Sequence, residues 1–163
     1  MARDTPRSII YALDIELRNL LKPALRGGHS TIEMYGTTVD LPGKLDFTTL
    51  EEMRSYVNTK ILGNPHLTAI YGNVPYVRVV QSKYQNRSHY DERSHSIHFD
   101  LSDRGMSIVN VAHESAHVLT CAAGQGGAHD SRFLEAYISI YDVIAGPSMA
   151  WAVRALHNQV ARA

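Results

Sequence analysis

The segment from Met106 to Ala123 constrains the fold more than any other part of the chain. Its sequence has helical periodicity, and Glu114 is its single charged residue. Several apolar residues fall on the side opposite His113 and His117, namely Ile108, Val111, Val118, Leu119 and Ala122. The sequence therefore predicts a helix that is buried on both sides and carries two histidines and one acid on its inner wall.

Residues 113–117 read HESAH, which places His113 and His117 four positions apart. Side chains at this spacing lie on one helical face with Cβ atoms about 5–6 Å apart, so both imidazoles can bind one tetrahedral zinc ion. Glu114 lies about 100° around the helix from His113, where it can reach a water molecule at the open position of the metal. On an exposed helix the same residues would form only a polar face, but the apolar flanks IVNVA and VLTCAA favour a metal site.

A catalytic zinc site usually has three protein ligands, and three downstream residues are candidates for the third. His129 is favoured, because a loop through residues 124–127, which include three glycines, can bring it back over the metal. Asp130 is a competitor that also fits the N-cap of the next helix. Glu135 is the other competitor. It could instead accept a hydrogen bond from the N–H of a ligand imidazole, or it could simply be solvated. Three imidazoles would favour zinc over magnesium or calcium.

Composition excludes several other classes of protein. The 163 residues predict one domain spanning 1–163, and the 44% that are hydrophobic suffice for a core. Sixteen basic residues balance sixteen acidic ones, so no nucleic-acid partner is expected. No stretch approaches the roughly 18–20 apolar residues that span a bilayer, and the charged N-terminal segment does not fit a secretory signal.

The lone cysteine, Cys121, favours a reducing compartment, so we expect a cytoplasmic protein. Cys121 follows His117 by one helical turn, about 6 Å along the axis, which is too far for it to join both histidines on one ion. We therefore expect it to be a small buried residue.

Helical patterns dominate both ends of the chain. The predicted helices begin at Thr5-Pro6, at Thr48 or Thr49, near Met106, at residue 131 and after Gly146-Pro147. The first has an apolar stripe that ends before Gly27-Gly28, and the second has a capping box formed by Thr48 and Glu51 or by Thr49 and Glu52. Residues 31–41 predict a short hairpin around Gly36.

Residues 75–100 predict β-structure. The strands would be PYVRVVQ, YQNRSHY and SHSIHFD, with DERS (91–94) as the turn between the last two. In the third strand, Ile97 and Phe99 share one face. The order of helix, small sheet and three consecutive helices predicts an α+β fold, with a small, mostly antiparallel sheet packed on helices.

The block VNVAHESAHVLT, followed by GGAHDSRFLEAYISIYDVIAG, resembles the HExxH metallohydrolases of actinobacteria and their phages. Upstream, YALDIELRNLL, TTVDLPGKLDFTTLEEMRSYV and VRVVQSKYQNRSHY follow the order of that family, so the resemblance covers roughly residues 10–157. HExxH with a downstream His-x-x-x-Phe is also distantly similar to SprT-like zinc peptidase domains. The resemblance implies a zincin-like domain in which His113, His117 and His129 bind zinc and Glu114 is the catalytic acid–base.

The resemblance also implies where a substrate would bind. In zincin-like domains the strand before the metal helix lies at the sheet edge, where an extended peptide can pair with it. By resemblance this strand would be residues 95–100. If the chain is phage-encoded, the expected location is the host cytoplasm.

Together, the residues and the resemblance predict a zinc-dependent hydrolase, in the first place a metallopeptidase that cleaves a peptide or protein substrate by Glu114-assisted attack of zinc-bound water. A second oxyanion donor would come from His89, Tyr90, His95, His98 or Tyr137. Two other functions stay open: a non-catalytic, zinc-stabilised binding or regulatory protein, and a zinc amidohydrolase acting on a small amide. Glu114 argues against the non-catalytic protein, since a structural zinc site needs no acid there and tends to close all four positions.

Overall fold

The computed structural model describes residues 6–163, and they have the predicted α+β class. In chain order the helices are α1 (Pro6–Arg26), α2 (Leu50–Ser55), α3 (Pro65–Tyr71), α4 (Ile108–Ala122), α5 (Ser131–Ala145) and α6 (Pro147–Arg162). The strands are β1 (Thr31–Met34), β2 (Thr37–Asp40), β3 (Arg78–Gln81), β4 (His89–Asp91) and β5 (Ser96–Phe99). The predicted N-cap Thr5 lies outside the described residues.

Packing groups the chain into two compact units. Residues 6–45 form the first unit together with Ala128–Ala163, and Asp46–Gly127 form the second. Within residues 6–163, no helix combines the length and the apolar character needed to cross a membrane.

In the first unit, α1 and α5 each pack along α6. The apolar stripe predicted for α1 is largely confirmed: Ile10, Leu13, Leu17 and Leu21 are buried, whereas Ile9 and Leu20 are only partly buried. The helix ends before Gly28, whose φ of 78° is the left-handed conformation that commonly terminates helices.

The predicted hairpin is confirmed as β1 and β2, which pair antiparallel. Its turn places both Tyr35 and Gly36 at positive φ (50° and 74°), the combination that suits the twist of a tight hairpin. The hairpin docks on α6, since the Tyr35 hydroxyl donates to Gln159 Oε1 at 3.0 Å and the Asp40 N–H donates to Ser148 Oγ at 2.9 Å.

In the second unit, the predicted second helix begins with Thr49 as its N-cap, whose side chain accepts from the Glu52 N–H at 3.1 Å. Glu52 in turn accepts from the Thr48 N–H at 2.8 Å, so both predicted threonines take part in the cap. After α2 the chain continues as a π-helical segment, Tyr56–Ile61, rather than as an α-helix.

A three-stranded mixed sheet completes the second unit, with β5 between β3 and β4. Strand β5 runs parallel to β3 and antiparallel to β4, and α2 packs against β3 while α4 packs against β4. The prediction that residues 95–100 form the sheet edge is therefore wrong. Ile97 and Phe99 are fully buried and Ser96 nearly so, which suits a central strand with hydrogen-bonded neighbours on both sides.

Two other sequence predictions differ from the structure. The predicted strand YQNRSHY is extended only at its end, in β4, because Asn86 adopts a left-handed φ of 56°. Helix α3 was not predicted at all. It begins at an Asn64 N-cap, whose side chain accepts from the His66 N–H at 2.9 Å, and it has Pro65 in its first turn.

Candidate metal centre

Helix α4 has the buried character that its sequence predicts. Its N-cap is Ser107, and the helix is buried on nearly every side from Ile108 to Thr120. His113 and Glu114 are each only 4% exposed, although both are polar. Burial of such groups is unfavourable unless a partner compensates for the lost hydration.

The imidazoles of His113 and His117 project from the same face of α4. Their ring centroids lie 5.2 Å apart and their planes are inclined by 62°. Inclined rings one helical turn apart can direct a nitrogen each toward a shared point. The predicted pairing of these two histidines on one face is thus confirmed.

His129 precedes α5 and lies among aromatic side chains. Gly124 and Gly126, with φ of 70° and 83°, break the chain after α4. The ring of His129 lies 4.8 Å from that of Phe133 and 5.4 Å from that of Tyr11. The His129 imidazole therefore contacts one ring from α5 and one from α1.

The ligand nitrogens of His113, His117 and His129 all lie within 4.8 Å of one another. Zinc–nitrogen bonds of about 2.0–2.1 Å would place the nitrogens of a tetrahedral site about 3.3 Å apart. Side-chain rotations can close that difference, since His117 and His129 are only partly buried. The three histidines can therefore hold a metal ion.

The two acidic competitors for the third position have other partners. Asp130 is the N-cap of α5, accepting from the backbone N–H of Arg132 at 2.9 Å, and it also pairs with the Arg132 guanidinium. That guanidinium holds the pKa of Asp130 below its usual value. Glu135 accepts two hydrogen bonds from Arg154 on α6, at 2.9 and 3.0 Å. Neither carboxylate belongs to the histidine cluster.

Among the candidate oxyanion donors, Tyr90 and His95 bond to each other. The Tyr90 hydroxyl lies 2.9 Å from His95 Nδ1, and His95 Nε2 lies 2.9 Å from the carbonyl oxygen of Pro75. Burial raises the pKa of Tyr90 to about 12, so this phenol stays protonated at neutral pH.

The other candidates also have neighbours of their own. His98 Nε2 lies 2.9 Å from Ser96 Oγ, and its ring stacks on that of His89. The Tyr137 hydroxyl, in the first unit, is fully buried and donates to Asp14 Oδ1 at 2.6 Å.

Cys121 is partly exposed rather than buried, which corrects the sequence prediction. It lies near the last turn of α4, where the helix end and the following glycines leave its thiol incompletely covered. Burial and the nearby Glu92 raise its pKa, so the thiol is a weak nucleophile. It is not part of the histidine cluster, in agreement with the expected axial distance from His117.

Asp14 is a buried polar residue that the sequence analysis did not single out. Its side chain is 3% exposed and lies within the apolar stripe of α1. The signal was available, because Asp14 is an acid flanked by Ile10, Leu13 and Leu17 at helical spacing.

No protein-family model, curated protein or solved structure matches this chain. The resemblance to HExxH metallohydrolases therefore stays a prediction.

Proposed function

We propose that the chain is a metal-dependent hydrolase that cleaves amide bonds, in the first place peptide bonds, with zinc as the favoured ion. The observation that carries the proposal is one cluster of three imidazoles, with ligand nitrogens within 4.8 Å of one another, next to a buried acid in HESAH. The three imidazoles and the acid each have a separate chemical use.

The donor set suits a catalytic ion. Imidazole nitrogens favour zinc over magnesium or calcium, which prefer oxygen ligands. When bound, such an ion acts as a Lewis acid on a carbonyl oxygen and lowers the pKa of a coordinated water toward about 7. Three protein ligands also leave a fourth position for solvent or substrate, whereas structural zinc sites have four protein ligands.

Glu114 supplies the proton transfers. Its carboxylate accepts a proton from the attacking water as the new C–O bond forms at the carbonyl carbon. The same proton then goes to the leaving nitrogen as the C–N bond breaks, so the carboxylate is regenerated in each turnover. Because Glu114 is only 4% exposed, bulk water competes little for this proton.

The same acid argues against a purely structural site. An ion held for stability tends to have four protein ligands and needs no acid at this position of the helix. Turnover gives that residue a use.

The test combines metal analysis with a peptidase assay on wild type and Glu114→Gln. We expect purified wild type to bind about one equivalent of zinc and to create new termini in a mixture of unstructured peptides, read by mass spectrometry. Glu114→Gln should retain the metal and lose about 10²–10⁴-fold in rate, because only the proton transfer is removed. The matched control is Glu135→Gln, the same substitution at an exposed acid, which should leave both metal and rate unchanged.

Three results would contradict the proposal. A wild type that binds no metal would end it. A Glu114→Gln variant as active as wild type would place the hydrolysis elsewhere. A wild type that binds zinc but cleaves neither peptides nor small amides would favour the zinc-stabilised binding protein.

A further inference from the structure

We infer that Asp14 and Tyr137 are positioning residues for His129, linking α1 to the helix that follows this histidine. The inference rests on the proposed function, because it assigns them a role in holding the third imidazole for a metal ion. All the residues that carry it lie in the first unit. A buried hydrogen bond joins Asp14 to Tyr137, and the rings of Tyr137, Phe133 and His129 form an aromatic ladder from that bond to the histidine.

The hydrogen bond between the two side chains is short and dry. The Tyr137 hydroxyl donates to Asp14 Oδ1 at 2.6 Å, Tyr137 is fully buried, and Asp14 is 3% exposed. Burial, together with the charge of Asp14, raises the pKa of Tyr137 well above its usual value, so the phenol remains a donor at any physiological pH. A buried bond of this kind fixes direction as well as distance.

Tyr137 is connected to His129 by side chains at intervals of four residues. The Tyr137 and Phe133 rings lie 5.8 Å apart, and the Phe133 and His129 rings lie 4.8 Å apart. Residues at this interval lie on one helical face, so the ladder runs along α5 to its N-terminal end. A rotation of α5 about its axis would move Tyr137 and Phe133 together, and Phe133 is the ring against which His129 lies.

Helix α1 contacts this ladder at two points. Tyr11 lies one turn before Asp14 on α1, and its ring lies 5.4 Å from that of His129. The Asp14 bond therefore sets the rotation of α5 at Tyr137, while Tyr11 bounds the imidazole at the other end. Two contacts at different positions along α1 restrict the rotation of α5 more than either contact alone.

Apolar packing alone would not need the acid. Phe133 and Leu17 show that this interior accepts apolar side chains, and a phenylalanine at position 137 would fill nearly the same volume. A buried carboxyl group needs a hydrogen-bond donor, which Tyr137 supplies to Asp14, and such a bond fixes orientation where an apolar pair would not. Metal sites require fixed orientation, because their ligands must be held within about 0.5 Å of the productive geometry.

The test measures metal affinity in Tyr137→Phe, which removes the hydroxyl and leaves the ring ladder intact. We expect zinc and cobalt(II) to bind about 10–100-fold more weakly, as for other residues that orient metal ligands. The visible absorption of the cobalt(II) form should also change, because that spectrum reports the ligand geometry. Arg154→Ala is the matched control: it also removes a polar contact made by α5, but an exposed one at Glu135, and should bind both metals as wild type does.

A second pair of variants keeps the inference testable if Tyr137→Phe is unstable. Asp14→Asn retains an oxygen that can accept from Tyr137, so its affinity should lie closer to wild type than that of Asp14→Ala. The double variant Asp14→Ala/Tyr137→Phe should lose less metal affinity than the sum of the two single losses, since both single variants remove the same hydrogen bond.

The outcomes separate this inference from the proposed function. Variants that melt at lower temperature but bind cobalt(II) with wild-type affinity and spectrum would show a merely structural bond and overturn the inference alone. Additive losses in the double variant would overturn it as well. A wild type without metal would overturn the proposed function and this inference with it.

Discussion

Two groups of histidines in this chain have opposite surroundings. The ligand trio is His113, His117 and His129, whose ligand nitrogens lie within 4.8 Å of one another. The sheet histidines are His89, His95 and His98, on or next to β4 and β5. His95 contacts Tyr90 and the Pro75 carbonyl through its two nitrogens, and His98 contacts Ser96 through Nε2.

The orientation of the rings separates the two groups. His89 and His98 stack with centroids 4.6 Å apart and planes only 10° from parallel. Nitrogen lone pairs lie in the plane of each ring, so those of parallel stacked rings cannot converge on one ion. His113 and His117 are 5.2 Å apart but inclined by 62°, which permits convergence. Convergence of ring nitrogens, rather than a high histidine count, therefore distinguishes the candidate metal site.

The largest expected effect comes from removing one member of the ligand trio. His117→Ala should weaken zinc binding by more than about 100-fold, because even residues that only orient a ligand contribute about 10–100-fold. Competition against a chromogenic zinc chelator gives the affinity. The same variant should lose hydrolysis, as the proposed function requires.

His98→Ala is the matched variant from the sheet histidines. It removes an imidazole of similar partial exposure, and it should leave zinc affinity within experimental error of wild type. If His98→Ala and His117→Ala weakened zinc binding equally, the distinction between the two groups would be lost.

A smaller effect is expected at the Tyr90–His95 contact. His95 Nε2 faces a carbonyl oxygen and must carry its hydrogen, so in neutral His95 Nδ1 accepts from the Tyr90 hydroxyl. Tyr90→Phe removes this bond and should lower the free energy of unfolding by about 1 kcal/mol, with no change in zinc affinity. Urea denaturation of the metal-free protein measures the stability. Weaker zinc binding in Tyr90→Phe would instead indicate that Tyr90 supports the metal centre, and it would contradict the distinction between the two groups of histidines.

Much of the fold could be predicted from the sequence because helices depend on local pattern. The stripe of α1 and the glycines after it were sufficient for that helix, and the uncharged flanks of HESAH for α4. The position of β5 could not be read in this way, since strand order depends on pairings distant in the chain. Helix α3 was missed although its start was visible, because Asn64-Pro65 is a common N-cap and first turn.

The candidate site divides along the same line. His113, Glu114 and His117 follow from spacing within one helix, which local geometry fixes. The position of His129 depends on a reversal of the chain after α4, and in the sequence only the nearby glycines indicated where that reversal occurs. Asp14 and Tyr137 are separated by 123 positions in the sequence, so their hydrogen bond had no local signal beyond an acid in an apolar stripe.

The smallest expected effect is a pH dependence at His89, one of the sheet histidines. Burial lowers the pKa of His89, and electrostatic interaction with His98 and Arg87 lowers it further, while Asp91 acts in the opposite direction. The unfolded chain, with a histidine pKa of about 6.5, then binds more protons than the folded one just below that pH. This contribution to stability is present above about pH 6.5 and is lost as the pH falls toward the lower pKa of the folded state.

Urea midpoints of the metal-free protein at about pH 7.5 and 5.5 should therefore differ less in His89→Gln than in wild type. The change should be smaller than that of Tyr90→Phe, because the ring is partly exposed and solvent screens it. His66→Gln, at an exposed position on α3, should keep the wild-type difference. An unchanged difference in His89→Gln would mean that the stacked pair has no electrostatic role, and the sheet histidines would then be distinguished from the ligand trio by geometry alone.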